Sequence, residues 1–140
     1  AVTSLPIPTG TPRYQLVGFT ADTFPVTTGV LGFTLACQVA FPESRMCTSN
    51  EVMETVTVPL DLSGEAWVRP SFVPIATGDN NVRAMDNSGN YGWPSSFTCS
   101  GWRSEVNDGY NKGLTVDATG RFVSRRCDYV YAVACCAPVP

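Results

Sequence analysis

The sequence predicts a single α+β domain that is cross-linked by three disulfides. Two helix-like segments come early in the 140-residue chain. Several strand-like runs and a long loop-rich stretch follow them, an order typical of α+β domains. The six cysteines form an even set, and the chain contains no histidine. Zinc sites that use cysteine usually show Cys-x-x-Cys pairs or include histidine, and neither occurs here. Disulfides in an oxidising space outside the cytosol are therefore favoured over buried free thiols in a cytosolic protein.

The composition excludes several classes of function. Hydrophobic residues make up 44% of the chain and charged residues 15%, with a net charge of −3. The absence of a basic stripe argues against nucleic acid as a partner. No apolar run of about 18 residues is present, so we expect no membrane-spanning segment. Without histidine, Ser-His-Asp and Cys-His catalysis are excluded, and no spacing singles out a pair of glutamates, so we expect no enzyme.

The first element along the chain is an extended N-terminal arm of residues 1–13, which precedes one domain of residues 14–140. Pro6, Pro8 and Pro12 disfavour a helix in the arm. The chain begins at Ala1 and shows no signal-peptide pattern. The expected disulfides predict an exported protein, extracellular or at the cell surface, and an exported chain of this kind has already lost its signal peptide.

A strand and two helices are predicted next. Residues 14–20 alternate like a strand. A helix over residues 28–41 is indicated by apolar residues near helical spacing, which are Leu31, Leu35 and residues 37–39. Its small residues, Gly29, Gly32 and Ala36, form a side that could pack closely on a sheet. Thr48 and Glu51 form a capping box for a second helix that covers residues 52–56 and ends before Pro59.

The second half of the chain is predicted to hold short strands and one long loop. Residues 66–70 resemble a short strand, and residues 71–96 a loop-rich stretch. Three further strand-like runs cover residues 97–102, 113–116 and 121–123, the last two joined as a hairpin by the turn at residues 117–120. Residues 129–136 form an apolar final strand.

Adjacent cysteines at the end of this strand predict how the chain is cross-linked. Cys135 and Cys136 face opposite sides of a strand and rarely bond each other, so each needs a separate partner. Cys37 in the first helix and Cys47 before the second are suitable partners, which leaves Cys99 to pair with Cys127. Which of Cys37 and Cys47 bonds which terminal cysteine stays open.

Several segments together resemble a group of secreted bacterial modules related to the endostatin and C-type-lectin-like folds. They are residues 16–20, Cys37, residues 44–48, 66–68, 99–102 and 133–136. The resemblance implies a C-type-lectin-like domain in which two early helices pack on a small, mainly antiparallel sheet beside a long loop region. Sugar sites of that family use Glu-Pro-Asn or Gln-Pro-Asp followed by Trp-Asn-Asp. Neither motif is present, so no binding residue is carried over.

Two sets of loop residues are candidates for binding. Calcium prefers oxygen ligands on loops, and the candidate ligands are Asp79, Asn81, Asp86 and Asn90. These residue types are also the common ones in turns. Aromatic rings beside amides can hold a sugar ring or a protein surface, and the candidates are Tyr91, Trp93, Asn107, Asp108 and Tyr110. Trp102 is favoured as a core residue.

Two functions are consistent with these observations. The first is a structural, self-associating extracellular subunit, a homo-oligomer or polymer whose N-terminal arm adds to the sheet edge of the next copy. Low charge and an excess of apolar residues favour it. The alternative is a lectin-like module that binds a glycan or another protein through the loops of residues 76–111.

Overall fold

The computed structural model describes residues 13–71, 73–76, 82–85, 97–107 and 111–139. In these residues the protein is an α+β domain with a mixed sheet, few helices and three disulfides. The first half holds β1 (Arg13–Phe19), α1 (Gly29–Ala40), β2 (Arg45–Met46), α2 (Ser49–Met53) and β3 (Glu65–Trp67). The second half holds β4 (Val73–Ala76), β5 (Val82–Met85), a helical turn (Cys99–Trp102), β6 (Lys112–Asp117), β7 (Phe122–Arg126) and β8 (Ala132–Val139).

The main sheet is organised around its last strand. Its order is β1-β8-β3-β6-β7, and β2 also pairs with β8. The β3–β8 pair is parallel, whereas the other strand pairs among the described residues are antiparallel. Strand β4 pairs with β5 in a separate two-stranded sheet. A central position for β8 explains its apolar composition, because both of its faces are covered.

Alternation along β8 separates the core into two clusters. Val133 and Cys135 lie in the cluster that contains Trp67 and Phe33. Residues 132, 134 and 136 lie in the cluster on the other side, with Leu16 and residues of β3 and β6. The predicted opposite orientation of Cys135 and Cys136 is thus confirmed, since side chains in a strand alternate.

The three disulfides follow the predicted pattern and settle the open choice. Cys37 bonds Cys135, Cys47 bonds Cys136, and Cys99 bonds Cys127. All six cysteines are fully buried. The first two bridges fix α1 and the entry to α2 on opposite faces of β8.

Helix α1 packs with a different face from the predicted one. Phe33 and Cys37 are both 0% exposed and point into the core. The small residues Gly29, Gly32 and Ala36 are only half-buried. The prediction that they form the sheet-facing side was wrong, because the large ring of Phe33 and the Cys37 bridge determine which side turns inwards.

The capping box of α2 is present, but the helix is shorter than predicted. The Thr48 hydroxyl accepts from the backbone N–H of Glu51, and the Glu51 carboxylate accepts from that of Thr48. The helix ends at Met53. Beyond it, the Thr55 hydroxyl accepts from the Leu16 amide at 2.9 Å, so the chain leaves the helix to satisfy the edge of β1.

One prediction for the middle of the chain was wrong. Residues 97–102 do not form a strand, because Cys99–Trp102 is a helical turn in which all four residues have positive φ. The Thr98 hydroxyl accepts from the Gly101 amide at 3.1 Å, and the Cys99–Cys127 bridge ties the turn to the sheet. The stretch predicted to be loop-rich, residues 71–96, also contains the two short strands β4 and β5.

The predicted hairpin turn between β6 and β7 is confirmed, and it is organised by Asp117. Asp117 Oδ1 accepts from the Thr119 hydroxyl at 2.6 Å and from the backbone amides of Thr119 and Arg121 at 2.9 and 3.0 Å. These hydrogen bonds, that of the Thr119 hydroxyl first, hold the pKa of Asp117 well below its ordinary value. The turn therefore depends on the ionised carboxylate.

Replacing Asp117 with asparagine is expected to lower the melting temperature at neutral pH and to matter less in acid. A depressed folded-state pKa adds stability above the unfolded pKa of about 4, and this stability is lost as pH falls through the folded pKa. Melting temperatures of wild type and Asp117→Asn, measured from pH 7 down to pH 2, should converge. A gap that stays constant or widens in acid would contradict this role. Asp61→Asn is a matched control, since Asp61 has no hydrogen-bond partner among the described residues.

Among the described residues, no helix has the length and apolar character needed to span a membrane.

Candidate functional site

Of the predicted ligand-binding residues, only Asn107 lies among the described residues. With its amide oxygen turned towards Arg126, Asn107 accepts from Nη2 at 3.0 Å and from Nε at 3.3 Å. Arg126 also pairs with Asp128 and lies over the Tyr129 ring, 4.9 Å from its centroid. Asn107 is thus tied to a cluster within the domain. Tyr91, Trp93, Asp108 and Tyr110 lie outside the described residues.

The predicted calcium ligands cannot be placed in the fold. Asp79, Asn81, Asp86 and Asn90 all lie outside the described residues. In the part of the chain that is described, no three His, Cys, Asp or Glu side chains form a group that could hold a metal ion. Calcium binding therefore stays a prediction from the sequence.

Trp102 belongs to the core, as predicted. It is 4% exposed. Its ring makes edge contacts with Phe33 and Trp67, with centroids 5.6 and 5.8 Å apart. This aromatic residue is therefore not part of a binding surface.

An apolar surface lies on the outer side of α1, and we call it the α1 face. Leu31, Leu35 and Val39 are 81%, 62% and 88% exposed. Residues four apart lie on the same side of a helix, so the three form one stripe. None of the twelve residues of α1 carries a charge. The helical spacing of these residues was visible in the sequence, but spacing alone could not show that the stripe faces solvent.

A cleft of about 820 Å³ opens at the C-terminal end of α1, and we call it the β1–α1 cleft. Its walls come from the end of β1, the end of α1, residues 61–65 and the start of β8. The residues important for its chemistry are Phe19, Thr20, Phe41, Asp61, Glu65 and Tyr131. The volume is in the range of small-molecule sites. The cleft has no signal in the sequence, because it joins four segments that are far apart in the chain.

The wall formed by β1 is held in place by local contacts. The Thr20 amide donates to the Val133 carbonyl at 3.0 Å, and the Thr20 hydroxyl accepts from the Val133 amide at 2.9 Å. Phe41 lies against Gly18, where a Cβ atom would come within 2.4 Å of the ring. A glycine is thus required here for the close approach of the ring to the strand.

The Tyr131 ring forms part of the opposite wall. Its backbone forms an antiparallel bridge with Phe24. Its ring makes an edge contact with Trp67, with centroids 5.0 Å apart. Burial, and next the charge of Glu65, raise the pKa of Tyr131 above its ordinary value. Tyr131 is therefore neutral at physiological pH, and the charge of the cleft is set by its carboxylates.

The two carboxylates of the cleft differ in their partners. Glu65 accepts from Arg125 Nε and Nη2, both at 2.9 Å, and from the Thr115 hydroxyl at 2.8 Å. This pairing raises the pKa of Arg125. Asp61 is exposed and has no hydrogen-bond or ion-pair partner within the described part of the chain. The cleft wall thus presents one compensated and one uncompensated negative charge.

Comparison with known proteins yields no relative. No family model matches the chain, and no match is found among curated proteins or among solved structures.

Proposed function

We propose that this protein is a non-catalytic extracellular subunit that self-associates, built on a C-type-lectin-like domain. In this proposal the N-terminal arm of one copy binds the α1 face of the next copy. The observation that carries the proposal is the exposure of Leu31, Leu35 and Val39 along one side of an uncharged helix. Clustered apolar exposure of this kind is a feature of interaction sites, whereas isolated exposed apolar residues are ordinary.

The composition of the arm matches that of the α1 face. Residues 1–12 carry no charged side chain and include Val2, Leu5 and Ile7. An apolar stripe gains free energy from covering by apolar side chains, at about 25 cal/mol per Å² removed from water. An uncharged segment can cover it without leaving a buried ion unpaired.

In this proposal the binding partner of the arm is a neighbouring copy. The arm joins the domain at Arg13, which pairs with Val139, whereas Gly18, five residues further along the same strand, lies under Phe41 at the end of α1. Twelve residues in a polyproline-like conformation span roughly 37 Å, enough to reach another molecule. A head-to-tail contact of this type produces rings or fibres.

The proposal also includes a location outside the cytosol and a C-type-lectin-like fold. Three buried disulfides are typical of proteins outside the cytosol. The attachment of a helix cysteine to the final strand supports the resemblance to C-type-lectin-like modules.

Self-association is tested by light scattering after size-exclusion chromatography. We expect wild type to form oligomers that grow with concentration. A variant lacking residues 1–12 and the variant Leu31→Asp/Leu35→Asp should each be monomeric. The aspartate substitutions leave the core intact, because the two leucines are exposed. Val106→Asp is a matched control, since Val106 is 60% exposed and lies outside α1.

A mixture of the two monomeric variants provides the decisive result. The truncated chain keeps its α1 face and the aspartate variant keeps its arm, so the mixture should form one-to-one dimers. If the truncated chain still dimerises by itself, the contact joins two α1 faces and the arm is not involved. If wild type is a monomer at all concentrations, the proposal fails.

A further inference from the structure

We propose that the β1–α1 cleft binds an ammonium group carried on an apolar chain, as in a small alkylamine or a lysine side chain. This proposal is independent of self-association. It rests on the volume of the cleft, on its uncompensated carboxylate and on its aromatic walls.

The volume of the cleft is large enough for a small ligand. Its volume of about 820 Å³ falls in the upper part of the range for small-molecule sites, about 300–1,000 Å³. Its walls are fixed by the hydrogen bonds of Thr20 to Val133 and by the bridge between Tyr131 and Phe24. Because the walls from β1 and β8 are held by the sheet, little conformational entropy of these two segments is lost when a ligand enters.

The negative charge of the cleft favours a positively charged ligand. The charged residues that line the cleft include Asp61 and Glu65, and none of the described residues that line it is basic. Arg125 compensates Glu65 from the sheet, where both guanidinium hydrogen bonds are used. Asp61 stays without a partner in the described residues, so its field extends into the cleft. Concave surfaces lined by one sign of charge concentrate ligands of the opposite sign.

Aromatic rings distinguish an organic ammonium from a metal cation. Phe19, Phe41 and Tyr131 line the same space as Asp61. Aromatic faces attract ammonium groups and also bury the methylene groups attached to them. A hard metal cation would instead require several oxygen ligands. The combination of one free carboxylate with three rings therefore fits an alkylammonium ligand.

The test is a titration of the 140-residue protein followed by NMR chemical shifts at low salt. The probes are n-butylammonium chloride, its neutral analogue n-butanol, its anionic analogue butyrate, and Nα-acetyl-lysine amide, which keeps the side-chain ammonium group. We expect n-butylammonium to shift residues of the cleft and to bind about fivefold more tightly than n-butanol. Butyrate should not bind. Binding of the lysine derivative, compared with that of n-butylammonium, shows whether a peptide or a free amine is the preferred source of the ammonium group.

Variants of exposed acids make the test specific. Asp61→Asn keeps the shape of the cleft and should weaken n-butylammonium binding about fivefold. Glu54→Gln is the matched control, since Glu54 is an exposed acid outside the cleft, and it should leave binding unchanged. Equal affinity for n-butanol, unchanged affinity in Asp61→Asn, shifts confined to other surfaces, or no binding by either amine would each overturn the proposal.

Discussion

Removing both bridges to β8 is expected to destabilise the protein by more than the sum of the two single removals. The bridge Cys37–Cys135 spans 98 residues and Cys47–Cys136 spans 89. Replacing either pair with alanine should cost about 3 kcal/mol, and replacing both pairs about 7 kcal/mol. Small domains have total stabilities of about 5–15 kcal/mol. The variant without both bridges should therefore lose most or all of its folded population.

The double removal costs more than the sum of the single removals because the two bridges connect nearly the same parts of the chain. With Cys47–Cys136 intact, Cys37 and Cys135 are already joined through a path of about eleven residues. The second bridge therefore closes a short loop and removes less entropy from the unfolded chain than the first. Once both bridges are absent, the long loop is also released.

Four proteins are needed for the measurement: wild type, each paired Cys→Ala variant and the quadruple variant. Their free energies of unfolding are measured in denaturant under oxidising conditions. A control is the Cys99→Ala/Cys127→Ala pair, whose separate loop spans 28 residues. Its cost should be about 3–4 kcal/mol and should add to that of either other pair within about 0.5 kcal/mol. Strict additivity for the two β8 bridges would show that loop entropy is not the cause of their effect.

The general pattern of the disulfides could be predicted, because it depends on a local rule. Alternation along a strand places Cys135 and Cys136 on opposite faces, whatever the rest of the fold does. Which of Cys37 and Cys47 bonds which terminal cysteine could not be predicted, because it depends on which face of β8 each helix covers. That choice is made by packing between distant segments, here by the ring of Phe33 against Trp102.

The helical turn Cys99–Trp102 shows where local patterns mislead. Its residues have the aromatic and apolar character of a strand, yet all four adopt positive φ. Such a conformation is unfavourable for residues other than glycine. It is held by the Cys99–Cys127 bridge and by the packing of Trp102 in the core. Tertiary contacts of this kind leave no local pattern in the sequence.

The two candidate surfaces differ in how much of them could be predicted. The α1 face has a visible period in the sequence, and only its exposure required the structure. The β1–α1 cleft had no signal, since residues near 20, 41, 61 and 131 come together only through the sheet. The loops predicted to bind ligands lie largely outside the described residues, so that prediction stays open.

Replacement of Trp67 by alanine is expected to cost about 3–5 kcal/mol of folding free energy. Trp67 is fully buried and makes edge contacts with both Trp102 and Tyr131. Its Nε1 donates to the Phe24 carbonyl at 3.0 Å. The space around it is tightly filled, since a Cβ atom at Gly113 would lie 2.5 Å from the indole. Alanine would remove the ring that joins β3 to the start of β8 and leave a cavity that the disulfide-linked neighbours cannot fill.

The free energy of unfolding in denaturant, measured with all disulfides intact, checks this prediction. Trp67→Phe separates ring packing from hydrogen bonding, because it keeps an aromatic ring and loses the Nε1 donor. We expect it to cost about 1–2 kcal/mol, since the Phe24 carbonyl still accepts from the Tyr131 amide. Val130→Ala is a surface control, as Val130 is 51% exposed, and should change stability by about 0.5 kcal/mol or less. If Trp67→Ala were as mild as this control, the cluster around Trp67 would not be the stabilising centre of this half of the core.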